Sequence, residues 1–245
     1  MKILFAVVAA WLTAVPLALA QSNLNPPFGD PAYRPFTVFS PDVADPEHAR
    51  ADILVVFHGF RSAVPNGTYK RIREVFRESH TVIGLNYDPL DVEHTRSFFD
   101  GVEKRWLRGR RVVVFGTSMG GFWANIFGHQ IAAEKIVMLN PVVDPPRQLA
   151  KYVGEVTTNQ RRARMFSVKA SAIQRYETIK PEFRLDIPTL VLLTADDERL
   201  DHRLAEAVFT GRKDTTVAVY PEGGHTMNLR NHPARAAIVD FVLSN

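Results

Sequence analysis

Three side chains far apart in this sequence have the types needed for a nucleophile, a base and the acid that orients the base. The candidate nucleophile is Ser118. Within Arg111–Gln130 an apolar run, Val112 to Phe115, breaks on Gly116, and the turn Gly116-Thr117-Ser118-Met119-Gly120 follows. Large apolar residues at Phe122, Trp123, Ile126 and Phe127 then recur at helical spacing. A strand that delivers a serine into a glycine-flanked turn ahead of a helix is a nucleophile elbow. The glycines are required because a Cβ at either flank would collide with the neighbouring strand or helix, and the serine is held in strained backbone geometry. Its hydroxyl then stands clear of the sheet, near the positive end of the new helix. The pentapeptide alone is a weak signal; its place between a β-branched run and a helical one strengthens it.

A serine hydroxyl is a poor nucleophile at neutral pH until an imidazole takes its proton, and a carboxylate must hold that imidazole in one tautomer. His225 is the candidate base, because it ends a glycine-rich loop, Glu222-Gly223-Gly224-His225, after the last apolar run. His48, His80, His94, His129, His202 and His232 fall in predicted helices, helix ends or surface loops and read as structural. For the acid, the loop after Pro188–Thr194 offers Asp196, Asp197, Glu198 and Asp201. Asp197 is preferred to Asp196, and Asp201 suits a helix N-cap. Asp144 is a rival, but Pro145 and Pro146 behind it suit the start of a turn. A developing oxyanion needs two preorganised donors. The backbone N–H of Met119 and that of Phe60, in Phe57-His58-Gly59-Phe60, are the candidates. His58, Gly59 and Trp123 are secondary candidates for the substrate pocket, with a core position as the competing reading of Trp123.

Such groups converge only if they sit on loops at the carboxyl ends of parallel strands. Strands are predicted at Ile53–Phe57, Thr81–Leu85, the elbow run, Lys135–Leu139, Pro188–Thr194 and Thr215–Tyr220. Helices are predicted at Thr68–Ser79, Val92–Arg108, the segment after the elbow, Leu200–Phe209 and Pro233–Leu243. Strand and helix in regular alternation imply an α/β fold, with a mostly parallel sheet covered on both faces. The exception is 144–186, which lacks strand character and reads as a small helical cap or insertion.

The chain has 245 residues, 46% of them hydrophobic, enough for one full core. Met1–Ala20 reads as a signal peptide: Lys2, an apolar stretch to Leu19, and an A-x-A cleavage signal at Ala18-Leu19-Ala20. The mature protein is therefore expected in the periplasm or outside the cell, without stable membrane insertion. Residues 21–50 form a Pro-rich extension with an edge strand expected near Phe36–Phe39, and 51–245 the main domain. There is no cysteine, which excludes disulfides, a thiol nucleophile and thiolate metal sites. A formal charge of +4, or +3 once Lys2 leaves with the leader, implies no nucleic-acid partner, and Arg161, Arg162 and Arg164 read as a solvated face.

Five pieces carry a resemblance: VVFHGFRSAVPNGTYKRI (Val55–Ile72), FGTSMGGFWA (Phe115–Ala124), LNPVVDPPRQL (Leu139–Leu149), LLTADDERLDHRLA (Leu192–Ala205) and EGGHTM (Glu222–Met227). In this order the chain resembles the α/β-hydrolase superfamily, and more narrowly the small YqiA/YcfP-type esterase-like family. The resemblance implies a compact hydrolase with no metal or organic cofactor, acting on a small-molecule ester or thioester, with Ser118 as nucleophile, His225 as base and Asp197 as acid. The export leader and the Pro-rich extension depart from that family, and an exported enzyme would not meet acyl-CoA. The expectation is thus an exported serine carboxylesterase for small or medium acyl groups. A lipase, thioesterase or peptidase on the same triad is the alternative, as is a binding protein that kept the fold without catalysis.

Overall fold

The computed structural model describes residues 36–154, 156–159 and 164–244. The leader, residues 21–35, Arg161 and Arg162 lie outside the described residues. In chain order the strands are β1 (Thr37–Phe39), β2 (Asp52–Phe57), β3 (Thr81–Asn86), β4 (Arg111–Thr117), β5 (Lys135–Leu139), β6 (Val156–Asn159), β7 (Arg164–Ser167), β8 (Thr189–Thr194) and β9 (Thr215–Tyr220). The α-helices are α1 (Gly67–Phe76), α2 (Val92–Val102), α3 (Met119–Gln130), α4 (Pro145–Ala150), α5 (Ala170–Ile179), α6 (His202–Phe209) and α7 (Ala234–Leu243).

Continuous apolar runs make strands that are buried on both faces. Ile53, Val55 and Phe57 of β2 point into one core while Leu54 and Val56 point into the other, as the two-residue period of a strand requires. Seven strands join in the order β1-β3-β2-β4-β5-β8-β9. Each neighbouring pair is parallel except β1 with β3, where Thr37 faces Asn86. Residues from the Pro-rich lead-in thus supply the edge strand.

The chain leaves β2 for β3 on one side, then crosses back to β4 on the other side of β2. That reversal is a switch point, where the loops beyond neighbouring strand ends diverge and leave a crevice. Phe57 at the end of β2 is level with Gly116 in β4. The loops holding Gly59-Phe60 and Ser118 therefore emerge side by side.

Local chemistry sets the helix boundaries. Asn66, Asp91 and Asp201 cap α1, α2 and α6 through side-chain oxygens that accept from Tyr69, His94 and Arg203 N–H groups. The predicted helix to Arg108 is α2 followed by a π-helical turn over Glu103–Leu107. α3 is apolar nearly all round and correspondingly buried from Met119 to Gly128.

The span 144–186 differs from the all-helical expectation. It holds α4 and α5, but also the antiparallel pair β6–β7, with Val156 facing Ser167 and Asn159 facing Arg164. The β-branched Val156-Thr157-Thr158 supplies strand propensity that the surrounding Gln, Arg and Lys residues obscure.

Candidate active site

Ser118 follows β4 directly and caps α3 with φ 57° and ψ −123°. A non-glycine residue in this region of φ costs about 1–3 kcal/mol and persists only where its surroundings over-determine it. They do so here. The Ser118 N–H donates to Leu139 O at 2.9 Å, and its carbonyl accepts from Gly121 N–H at 2.9 Å and Val142 N–H at 3.0 Å. Glycine is obligatory on both flanks: a Cβ on Gly116 would lie 2.1 Å from Gly120 O, and one on Gly120 would lie 2.5 Å from Phe57 O. Gly59 gives the serine clearance, since a Cβ there would stand 3.1 Å from Ser118 Cβ.

His225 is reached by a loop with unusual backbone, Gly223 at φ 150° and Gly224 at φ 61°. Three successive acids from the loop after β8 hold it, each differently. Asp196 accepts from the Gly223 and Gly224 N–H groups at 3.1 and 2.8 Å. Asp197 meets the ring, with His225 Nδ1 at 3.0 and 2.9 Å from its two oxygens. Glu198 Oε2 accepts from the His225 N–H at 2.9 Å. Of the acids in this loop, Asp197 is the one whose carboxylate meets the His225 ring. Asp201 caps α6, and Asp144 caps α4 while pairing with Lys180 Nζ at 2.9 Å, so the rival acid is engaged elsewhere.

Burial pushes the Asp197 carboxyl up. The hydrogen bond and charge of His225 and the N–H groups of Arg199 and Leu200 outweigh that, and its pKa lies below the ordinary carboxylate value. An ionised Asp197 keeps the His225 proton on Nδ1 and leaves Nε2 as an acceptor.

Asn140 is a site residue that the sequence reading passes over. Buried and at φ 41°, it shares its Nδ2 hydrogens among Thr194 Oγ1, Gly224 O and His225 O, at 3.0, 3.1 and 3.0 Å. Its Oδ1 accepts from Thr194 N–H at 2.9 Å, and Thr194 Oγ1 donates to Gly224 O at 3.0 Å. An asparagine directly after a buried strand, in Asn140-Pro141, was the available signal.

Ser118 and His225 line one open cavity of about 410 Å³, together with Gly59, Phe60, Arg71 and Arg199. Their side chains are not hydrogen-bonded to each other among the described residues, and such contacts are commonly long before substrate enters. Met119 begins α3, so its N–H is among those a helix leaves without an internal partner.

Two pocket candidates need correction. Trp123 is fully buried and donates from Nε1 to Tyr176 Oη at 2.9 Å, so it belongs to the core beneath the site. The His58 ring is also buried, stacked on Tyr87 with centroids 4.4 Å apart, and the Tyr87 hydroxyl donates to His58 O at 2.6 Å. Past the end of β2 the chain no longer alternates faces: Phe57 and His58 both pack on Tyr87, while Gly59 lines the cavity. Among the described residues none of 144–186 lines this cavity; Tyr152 reaches its margin through the Phe60 ring, with centroids 5.7 Å apart.

The model of the uncharacterised protein family UPF0227 matches residues 53–242. No curated protein matches the chain. Est1E from Butyrivibrio proteoclasticus, solved with ferulic acid bound, aligns at 13% identity with a TM-score of 0.61, over 84% of this chain and 91% of that one. Mouse α/β hydrolase domain-containing protein 10 aligns at 13% identity with a TM-score of 0.57, over 78% and 87%. A monoacylglycerol lipase from Paleococcus ferrophilus aligns at 14% identity with a TM-score of 0.54, over 78% and 93%. At these identities the likeness is one of fold.

Proposed function

We propose that this chain, which belongs to the UPF0227 family and has the α/β-hydrolase fold, hydrolyses carboxylic esters through an acyl-enzyme on Ser118. One observation carries the reading. His225 is held by Asp197 at 2.9–3.0 Å and opens onto the same cavity as a serine in elbow geometry. An imidazole oriented by a buried carboxylate beside a strained serine is the arrangement that activates a hydroxyl.

In this mechanism Ser118 Oγ attacks the acyl carbonyl as His225 Nε2 takes its proton. The carbonyl oxygen becomes an oxyanion facing the N–H groups of Met119 and Phe60. His225 then protonates the departing alkoxide and the acyl group stays on Oγ. Water, deprotonated by His225, attacks the acyl-enzyme; His225 then returns the proton to Ser118 Oγ as the C–Oγ bond breaks and the acid leaves. Asp197 remains ionised throughout and stabilises the imidazolium.

Ser118→Ala should lower kcat on a p-nitrophenyl ester at least about 10³-fold while the protein stays folded. A fluorophosphonate probe should label Ser118 in the parent chain. Retained turnover in Ser118→Ala, or a parent chain inert to the probe, rejects the reading. Export is part of the same proposal: Met1–Ala20 acts as a cleaved leader, and N-terminal sequencing of protein from the periplasm or medium should begin at Gln21.

A further inference from the structure

We propose that the ester cleaved here carries a negatively charged group, a carboxylate or phosphate, held by Arg71 and Arg199; this rests on the ester-hydrolase reading above. Two arginines and no acidic residue are among the described residues lining the cavity that holds Ser118 and His225. They arrive from different elements. Arg71 lies on α1, which is anchored by buried Tyr69, Ile72 and Phe76. Arg199 belongs to the loop that seats the acid, and its own N–H donates to Asp197 Oδ1 at 2.8 Å. The carboxylate that orients His225 thus also fixes the main chain of Arg199 at the cavity wall.

Each arginine has a nearby acid, but in a form that gives way. Arg71 pairs with Glu74 one turn along α1, and Arg199 Nε lies 3.2 Å from Oε1 of adjacent Glu198. Arg199 and both acids are solvent-exposed and Arg71 is partly exposed; surface pairs of this kind contribute little to stability, so a substrate anion displaces them at small cost. Glu198 keeps its other oxygen on the His225 N–H. The guanidinium fork matches the two oxygens of a carboxylate or phosphate, which a single ammonium does not. The rest of the wall combines hydroxyls and amides such as Thr68, Thr226 and Asn228 with the apolar Phe60, Met227 and Leu229. Such a mixed wall accommodates a short hydrocarbon that ends in charge.

The test compares p-nitrophenyl hexanoate with the mono-p-nitrophenyl ester of adipic acid. The two share acyl length and leaving group and differ by one terminal carboxylate. The parent chain should favour the adipate ester in kcat/KM by about tenfold, the effect of one charge-assisted contact, with the advantage shrinking as ionic strength rises. In Arg71→Gln/Arg199→Gln that ratio should fall to near one, and Arg71→Lys/Arg199→Lys should restore part of it. A parent ratio at or below one, or a ratio that survives the glutamine substitutions, overturns the inference. Calorimetric titration of Ser118→Ala with monomethyl adipate and with butyl phosphate separates carboxylate from phosphate and needs no turnover. Saturable binding lost in the glutamine variants supports the anion site even if no ester is cleaved, which would sink only the hydrolase reading. No saturable binding of either compound overturns the anion site.

Discussion

Asn140 holds the carbonyl of His225, as Glu198 holds its N–H, and replacing Asn140 gives a quantitative test. Asn140→Ala takes away the partner of Thr194 N–H and that of His225 O, while Gly224 O keeps its contact with Thr194 Oγ1. A main-chain group left unsatisfied in the interior costs about 1–3 kcal/mol, so two cost about 2–6 kcal/mol. The φ of 41° adds about 1 kcal/mol for a residue with a Cβ and no side-chain compensation. Asn140→Ala should therefore lose at least about 3 kcal/mol, and Asn140→Gly about 1 kcal/mol less, because glycine tolerates the backbone angle. Urea unfolding followed by the fluorescence of buried Trp106 and Trp123 measures both. With its carbonyl released, the His225 loop drifts, and a displacement near 1 Å at a catalytic group is enough for about a 10²-fold fall in kcat. Losses below about 1 kcal/mol together with unaltered ester turnover would refute the assignment of Asn140 as the latch on this loop.

Among the three adjacent acids, Asp197→Asn should lower kcat by about 10³–10⁴-fold through loss of the correct imidazole tautomer, whereas Asp196→Asn, which keeps an acceptor for the loop N–H groups, should cost about tenfold or less; the opposite ranking in ester kinetics would make Asp196 the acid. Gly120→Ala should destabilise by about 3 kcal/mol, because its Cβ would fall 2.5 Å from Phe57 O, while Gly101→Ala in α2, with open space around it, should stabilise by about 0.5–1 kcal/mol; thermal melts of the two variants check the contrast. The carboxyls of Asp196, held down by the Gly224 and Gly223 N–H groups, of Asp197, and of Glu198 all lie below their ordinary values when folded. Depressed carboxyls stabilise fully above their unfolded values near pH 4 and lose that contribution as pH falls through the folded ones. The melting temperature should therefore drop below about pH 4, and the drop should be smaller in Asp197→Asn; an equal drop in that variant would remove Asp197 from the acid response.

The order of strands and helices was readable because periodicity, glycine breaks and capping residues act over a few residues. The same holds for the elbow: Gly116 and Gly120 are demanded by contacts within a single tight turn and its neighbouring strand. Among the eight histidines only His225 ends a glycine-rich loop after a strand, a pattern visible without the fold. Other features had no local signature. Asp196, Asp197 and Glu198 are three alike carboxylates in a row, told apart only by which atom of a loop 27 or 28 residues away each one meets. Asn140 bonds to Thr194 and His225, 54 and 85 residues on, and no pattern near Asn140 announces either partner. Trp123 and His58 have the composition of pocket residues, yet the packing of α3 against α5 and the stacking on Tyr87 turn them inward. Backbone preference is written into neighbouring residues, whereas a hydrogen bond depends on distances that exist only after the sheet has brought remote strand ends together.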